Sequence, residues 1–379
     1  MATTAANPVD TFSIALADSV DLSHAPVAVN DSERILFRQL FPTLIRIDCQ
    51  GQARPDLVTR WERDSTGQIW TFFMPEDGRF PDGSPLTASA VSASWLHRWS
   101  EVQELGLDTM VVLDQQRLAV TLRDSVDSLP PLFADPGMAV VPEALPPDRT
   151  RFILRPRSGQ PVVEIAVSST ADLRDALDAG ADLVVSRDPS VIDYAANRPE
   201  FETFPLPWDR TYVLLQPAGT PPLPAALQTD SIRHSLAYDA VRADARPADH
   251  PVQWHGACAL TKSMLGTSSS TTRLVYPASD PVARQLAERI TAIAGDTLQL
   301  RAVGLDGKSF DATLRQGRDR GYILPLEHRS LSACVGDTPA SATPVRIEPL
   351  IDSRSHAIVR RGSPPLTVDW DGTVRALLP

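Results

Sequence analysis

The side chains able to carry chemistry are scattered along this chain rather than gathered. Asp249, His250, His255 and Cys258 have a spacing open to metal ligation, because imidazole and thiolate suit zinc and its neighbours. Metal binding there would need a full set of four ligands in a closed geometry. A polar loop accounts for the same residues, and no metal is expected. His24, His97, His234, His328 and His356 stand alone in sequence. Carboxylates are numerous, yet no motif sets two of them opposite one another for acid–base work. There is no phosphate-cradling P-loop, no Gly-x-Ser-x-Gly elbow and no Cys-x-x-Cys pair. These residues point to binding rather than turnover, so neither an enzyme nor a cofactor is expected.

The elements that would position a binding site are clearer. Residues 11–17 alternate as a strand, and so do 161–167. Thr170 is placed to cap a short helix carrying Leu173, Ala176 and Leu177, Gly180 to end it, and Leu183-Val184-Val185 to form the next strand. This is a βαβ unit. Ligands of open α/β sheets gather beyond the carboxyl ends of strands, which makes Arg187 a candidate binding residue. A solvated loop arginine is the alternative. A second βαβ unit runs from 273–276, through a helix capped by Asp280 with Pro281 first and Gly295 last, to 297–303. Residues 310–315 suit a further short helix.

Composition sets the bounds. The chain has 379 residues, 42% apolar and 22% charged, with a formal net charge of −11. Those values fit two or three ordinary globular domains and argue against nucleic acid as a partner. The lysines are Lys262 and Lys308 alone, so the many arginines read as compositional bias. No run approaches the roughly 18 apolar residues of a membrane span. The start, MATTAANPVD, lacks the basic and apolar regions of a signal peptide.

Residues 33–99 carry the most specific pattern. An amphipathic turn shows Leu36, Leu40, Phe41 and Leu44 on one face, and Gly51 turns a polar hairpin. Pro55, Leu57 and Trp61 precede an aromatic β-rich run at 69–73. Asp77-Gly78 and Asp82-Gly83 are turns, and Thr87 is placed to cap a helix with Val91, Trp95 and Trp99 on its apolar side. Phe80, Asp82, Gly83, Pro85, Leu86, Thr87, Ala88 and Val91 follow in order. In this order and spacing the stretch resembles the family 5 extracellular solute-binding proteins, which serve peptide, nickel and related ABC importers. Further along, 176–182 and Ile232, Arg233, Leu236, Ala237 and Tyr238 resemble other segments of that family. The family's "Gly-Thr-Gly-Pro-Tyr" is replaced here by 148–154, and the ligand-binding aspartate of peptide binders has no counterpart after Gly321, so the chain resembles a shortened member.

That resemblance implies an α/β, two-lobed periplasmic-binding-protein-like fold (type II, cluster C-like). Lobe 1 would be discontinuous, 1–215 with 345–379 returning to it and an inserted subdomain at 46–145. Lobe 2 would be 216–344. It implies capture of a small peptide-like or other organic solute in an interlobe cleft by hinge closure, and delivery to ABC permease transmembrane subunits. The protein would be a monomer, periplasmic or otherwise extracytoplasmic, peripheral to the membrane, and present here as a mature form with an added Met; a cytosolic protein is the alternative. Use of the fold as a ligand sensor or scaffolding module is the alternative function. The loop carrying Asp18 would border the ligand, and the strand at 208–215 would face it at its start, through Trp208, Arg210 and Tyr212. Trp254 and Tyr322 would stand at cleft edges, where aromatic rings stack ligands. With Arg187, these residues suit a solute with an apolar body and an anionic group. Cys258 and Cys334, both in the implied second lobe, either pair as a disulfide or remain thiols.

Overall fold

The computed structural model describes residues 11–129, 131–142, 150–154, 162–168, 172–217, 245–248, 272–327 and 346–376. Trp254, the possible ligands Asp249 to Cys258, Cys334, the cap Thr170, and the helix expected at 231–242 lie outside the described residues. The chain divides into two compact units, Met1–Pro207 with His356–Pro379, and Trp208–Ser355.

Unit 1 is built on a six-stranded sheet. Its strands are β1 (Thr11–Leu16), β8 (Arg151–Leu154), β9 (Val162–Val167), β10 (Leu183–Ser186), β11 (Phe201–Pro205) and β18 (His356–Arg360), in the order β11-β18-β10-β1-β9-β8. β1 pairs in parallel with both β9 and β10. Alternation along β1 explains its two-sided burial. Phe12, Ile14 and Leu16 meet Ile35, Leu36, Phe37 and Leu40 of helix α1 (Asp31–Leu40), while Ala15 packs with Leu173 and Leu177 of α4 (Leu173–Asp178) and Val191 and Ala195 of α5 (Pro189–Ala196). Helix α4 is capped by Asp172, whose carboxylate accepts from the Arg174 amide.

The segment from 45 to 140 forms a separate layer with its own core. Hairpin β2 (Ile45–Ile47) and β3 (Ala53–Pro55) turns at Gly51, where φ is 77°. A four-stranded antiparallel sheet follows, ordered β4 (Arg60–Arg63), β5 (Ile69–Phe73), β7 (Arg117–Leu122) and β6 (Leu107–Val112). Trp70, Phe72, Leu118 and Val120 pack with Trp95 and Phe133. The single helix expected through Trp95 and Trp99 is two, α2 (Ala88–His97) and α3 (Trp99–Glu104), because Arg98 leaves helical geometry at φ −123°. Its guanidinium donates to the carbonyls of Gly137 and Ala139, and Trp95 Nε1 donates to that of Met138. Clamping this returning segment outweighs continued helix. Thr87 caps α2 as expected, its hydroxyl accepting from the Ala90 amide.

Unit 2 holds a second six-stranded sheet. Its strands are β12 (Arg210–Gln216), β13 (Ala245–Pro247), β14 (Arg273–Pro277), β15 (Arg301–Leu305), β16 (Gly321–Glu327) and β17 (Arg346–Ser353), ordered β13-β17-β12-β16-β14-β15. β12 divides its side chains between two faces. Tyr212 and Leu214 pack with Leu286 and Ile290 of α6 (Pro281–Leu298), and Val213 and Leu215 with Phe310 and Leu314 of α7 (Gly307–Gln316). The expected end of the former helix at Gly295 is instead an interruption within it, at φ 55°. The lobe boundaries also fall elsewhere. β12 hydrogen-bonds to β16 on one side and β17 on the other, so 208–215 and 345–355 belong with unit 2 rather than with lobe 1. The tail turns at Asp371-Gly372 between β19 (Thr367–Val368) and β20 (Val374–Arg375) in unit 1.

Candidate functional site

Within unit 2 the sequence candidates Trp208 and Arg210 stand at the start of β12, and strand register adds partners to them. Thr211 of β12 is opposite Asp352 of β17, and Asp352 is opposite Arg246 of β13. One cross-strand row thus carries a hydroxyl, a carboxylate and a guanidinium. Asp352, fully buried, accepts from Thr211 Oγ1 at 2.7 Å and from Arg246 Nε at 3.0 Å. This holds the Arg246 guanidinium 4.8 Å from the centre of the Trp208 ring. Arg354, just past β17, places a second guanidinium 4.5 Å from the same ring. Both distances lie within the range of cation–π attraction. Arg246 remains 35% exposed while its anchor is buried, so a fixed cation is presented to solvent. A planar fork so held suits a carboxylate, sulfonate or phosphate oxygen pair. Arg210 is half-buried at the same strand end, opposite Glu327 and Ser353.

Tyr212 and Tyr322 are corrections to the sequence reading, because both are core side chains of unit 2. Tyr212 is 1% exposed, and its hydroxyl donates to Asp280 at 3.0 Å. Asp280 also accepts from the amides of Val282 and Ala283, so this tyrosine buttresses the cap of α6. Tyr322 is fully buried, edge-on to Phe310, and donates to the Thr313 carbonyl at 2.9 Å. Burial pushes its phenol up to about 12.

In unit 1, Asp18 and Arg187 follow the carboxyl ends of the neighbouring parallel strands β1 and β10. The first turn of α1 holds both. Asp31 accepts from Arg187 Nε at 3.0 Å and from Arg34 at 3.0 Å. Ser32 Oγ accepts from the Asp18 amide at 2.9 Å and donates to its carboxylate at 3.1 Å. Arg187 is therefore an ion-paired, largely buried side chain rather than a solvated one. Glu33, 1% exposed, accepts from the Asp21 and Val29 amides and bonds His24 Nδ1. Sequence reasoning missed Arg246, Arg354 and this turn; an Asn30-x-x-Glu33 capping pattern was the available signal for the last.

Among the described residues, no three His, Cys, Asp or Glu side chains are placed to hold a metal ion, and no helix is long and apolar enough to cross a membrane.

Two six-stranded sheets in two units, with the chain leaving the first and returning to it, match solved structures across nearly the whole chain. NikZ from Campylobacter jejuni, crystallised with Ni(L-His), superposes with a TM-score of 0.65 over 97% of this chain and 98% of its own, at 13% identity. This chain has the two-lobed fold of the periplasmic solute-binding proteins. The murein tripeptide binding protein MppA of Escherichia coli matches with a TM-score of 0.61 over 96% of each chain, at 15% identity. Sequence similarity is confined to a shorter stretch. A probable peptide ABC transporter periplasmic-binding protein of Sinorhizobium fredii is 27% identical over 117 residues, 28% of this chain and 22% of the relative. The matched stretches span 10% to 25% of the length of the curated relatives. No family model matches the chain.

Proposed function

We propose that this chain is the solute-binding protein of an ABC importer, working outside the cytoplasmic membrane and closing on a small organic solute with an anionic group. No bond is made or broken in this role. Its partners would be the solute and the permease's transmembrane subunits. The observation carrying the solute class is the Arg246–Trp208–Arg354 cluster, two guanidiniums on one ring, of which Arg246 is placed by strand register. Arg210, at the same strand end, is kept as a contact residue, with Asp18 and Arg187 in unit 1. Tyr212 and Tyr322 are left out, since their hydroxyls serve the core. The fold and the stretch similar to peptide transporter proteins support import over sensing.

Thermal unfolding against amino acids, di- and oligopeptides, aromatic carboxylates and metal chelates tests this reading. A ligand at one hundred times its dissociation constant adds about 2.7 kcal/mol to the native state. At about 2.1 cal/mol/K of unfolding entropy per residue, the midpoint rises by roughly 3 °C. A shift of that size by an anionic class, roughly halved in Arg354→Ala at the same ligand concentration, is expected. Equal shifts in wild type and Arg354→Ala would overturn the assignment of the cluster.

A further inference from the structure

The edge of the unit 2 sheet where its parallel strands begin is lined with arginine. β14 runs parallel to β15 and to β16, and β12 runs antiparallel to both β16 and β17, so β14, β15, β16 and β17 all start at one end. Arg273 and Arg301 open β14 and β15 and are level with each other. Arg320 directly precedes Gly321, which is level with Leu274. Arg346 opens β17, level with Gln216 at the end of β12. Helix α7 returns to the same end, bringing Arg315 in its last turn and Arg318 just beyond it. From β17 to β15 the row crosses four strand spacings, roughly 19 Å.

Pairing within the fold accounts for one of these guanidiniums. Arg273 bonds Asp319 at 2.9 Å, and Asp319 is buried. Arg301, Arg315, Arg318, Arg320 and Arg346 make no ion pair or side-chain hydrogen bond among the described residues. Arg315 suits the negative end of α7, and Arg301 guards an edge strand. Neither reason covers Arg318, Arg320 or Arg346. Arg320 is half-buried, and burial without a counter-charge pulls its guanidinium down from the ordinary range. Asp311 sits a turn earlier on α7 and Glu348 two residues into β17, both away from the strand-start end. Like charges level on neighbouring strands repel. In a chain of net charge −11, this unmatched positive row runs against the composition and calls for an anion from outside.

The shape of the edge narrows that anion. A row this long is a surface rather than a pocket, and guanidinium forks match phosphate oxygens. Among the described residues, no large apolar side chain of unit 2 is exposed, so the edge has nothing to insert among acyl chains or to stack on bases.

We propose that this arginine edge rests on the phosphate headgroups of an anionic phospholipid surface, holding unit 2 at the membrane by charge alone. It is separate from the solute reading, because the Arg246–Trp208–Arg354 cluster lies at the opposite end of β12 and β17. Such attachment is reversible, each arginine strengthening it about fivefold.

Flotation of the full chain with vesicles, without solute, tests the proposal. With equal parts of phosphatidylglycerol and phosphatidylcholine, binding is expected at low salt and lost at about 0.5 M salt, and none is expected with phosphatidylcholine alone. Arg301→Ala/Arg318→Ala changes two exposed, unpaired sites and should bind about 25-fold more weakly at an unchanged unfolding midpoint. Arg117→Ala/Arg361→Ala removes the same charge from unit 1 and should bind as wild type does. An equal loss in both double variants would reduce the effect to net charge and overturn the proposal, as would no binding to anionic vesicles at low salt. Two further arms separate other occupants. Capture by polyglutamate in place of vesicles would assign the edge to an acidic protein segment, and release from vesicles by millimolar glycerol phosphate would assign it to a free phosphate; either result would overturn the lipid surface. Solute affinity retained in Arg301→Ala/Arg318→Ala keeps the two readings distinct.

Discussion

Two arginine clusters in this protein differ in what surrounds them, and the difference separates structure from function. In unit 1, Arg38, Arg46 and Arg375 meet Asp56, Asp369 and Asp371 where the C-terminal hairpin crosses α1 and the β2–β3 segment. Arg375 is 6% exposed, bonds Asp369 at 2.8 Å and takes both oxygens of Asp56 at 2.9 and 3.0 Å. Its charge is met by two buried carboxylates and is almost closed to solvent. In unit 2, Arg246 has a buried anchor in Asp352 but an open outer face, and it shares an aromatic ring with Arg354. The first arrangement fastens a strap; the second leaves the Arg246 guanidinium partly open to solvent.

The largest expected effect tests the strap. Arg375→Ala leaves Asp56 and Asp369 buried without their main counter-charge, at a cost of about 3–5 kcal/mol. Urea unfolding should show that loss; a loss below about 1 kcal/mol would mean that the strap charges are solvated rather than matched.

Acid sharpens the same side of the comparison. Burial alone would raise the Asp371 carboxyl, but the Arg38 and Arg34 charges and the Thr373 amide outweigh it and hold it at about 2. An unfolded aspartate titrates near 3.9, so this stabilisation is complete above about pH 4 and is lost as pH falls through about 2. The shift corresponds to about 2–3 kcal/mol. Asp369, pushed upward by burial against the pull of Arg375, acts with the opposite sign and trims the total. Unfolding curves at pH 7 and pH 3 should lie closer together in Asp371→Asn than in wild type; equal separation in the two proteins would refute the assignment.

On the unit 2 side, Arg354→Ala should weaken solute binding about tenfold, or 1.4 kcal/mol, while moving stability by about 0.5 kcal/mol or less. The opposite pattern, lost stability with retained affinity, would make the cluster a second strap. Tyr212→Phe is the smallest change. It removes the bond to Asp280 and should cost about 1 kcal/mol of stability with no change in affinity. A change in affinity would return Tyr212 to the binding site.

How much was legible in the sequence follows the range of the interactions. The pattern at 33–99 rests on local signals, a turn glycine at Gly51 and a cap at Thr87, and these recur in the structure. Arg187 was legible as a residue after a strand end because a βαβ unit is local too. Arg246 and Arg354 were not, since only the β13-β17-β12 register brings them to Trp208. Tyr212 misled for the same reason: its place in the strand was read correctly, but its burial depends on α6, distant in sequence. The break at Arg98 was hidden because the apolar spacing through Trp95 and Trp99 continues, and only contacts with residues 137–139 end the helix.

Calorimetric titration of the solute selected by the unfolding panel into wild type and into Arg246→Ala/Arg354→Ala tests the central claim most directly. One-to-one binding to wild type, lost in the double variant while it still unfolds cooperatively at a midpoint lowered by the unpartnered Asp352, is the predicted result. Equal binding to both proteins would contradict it.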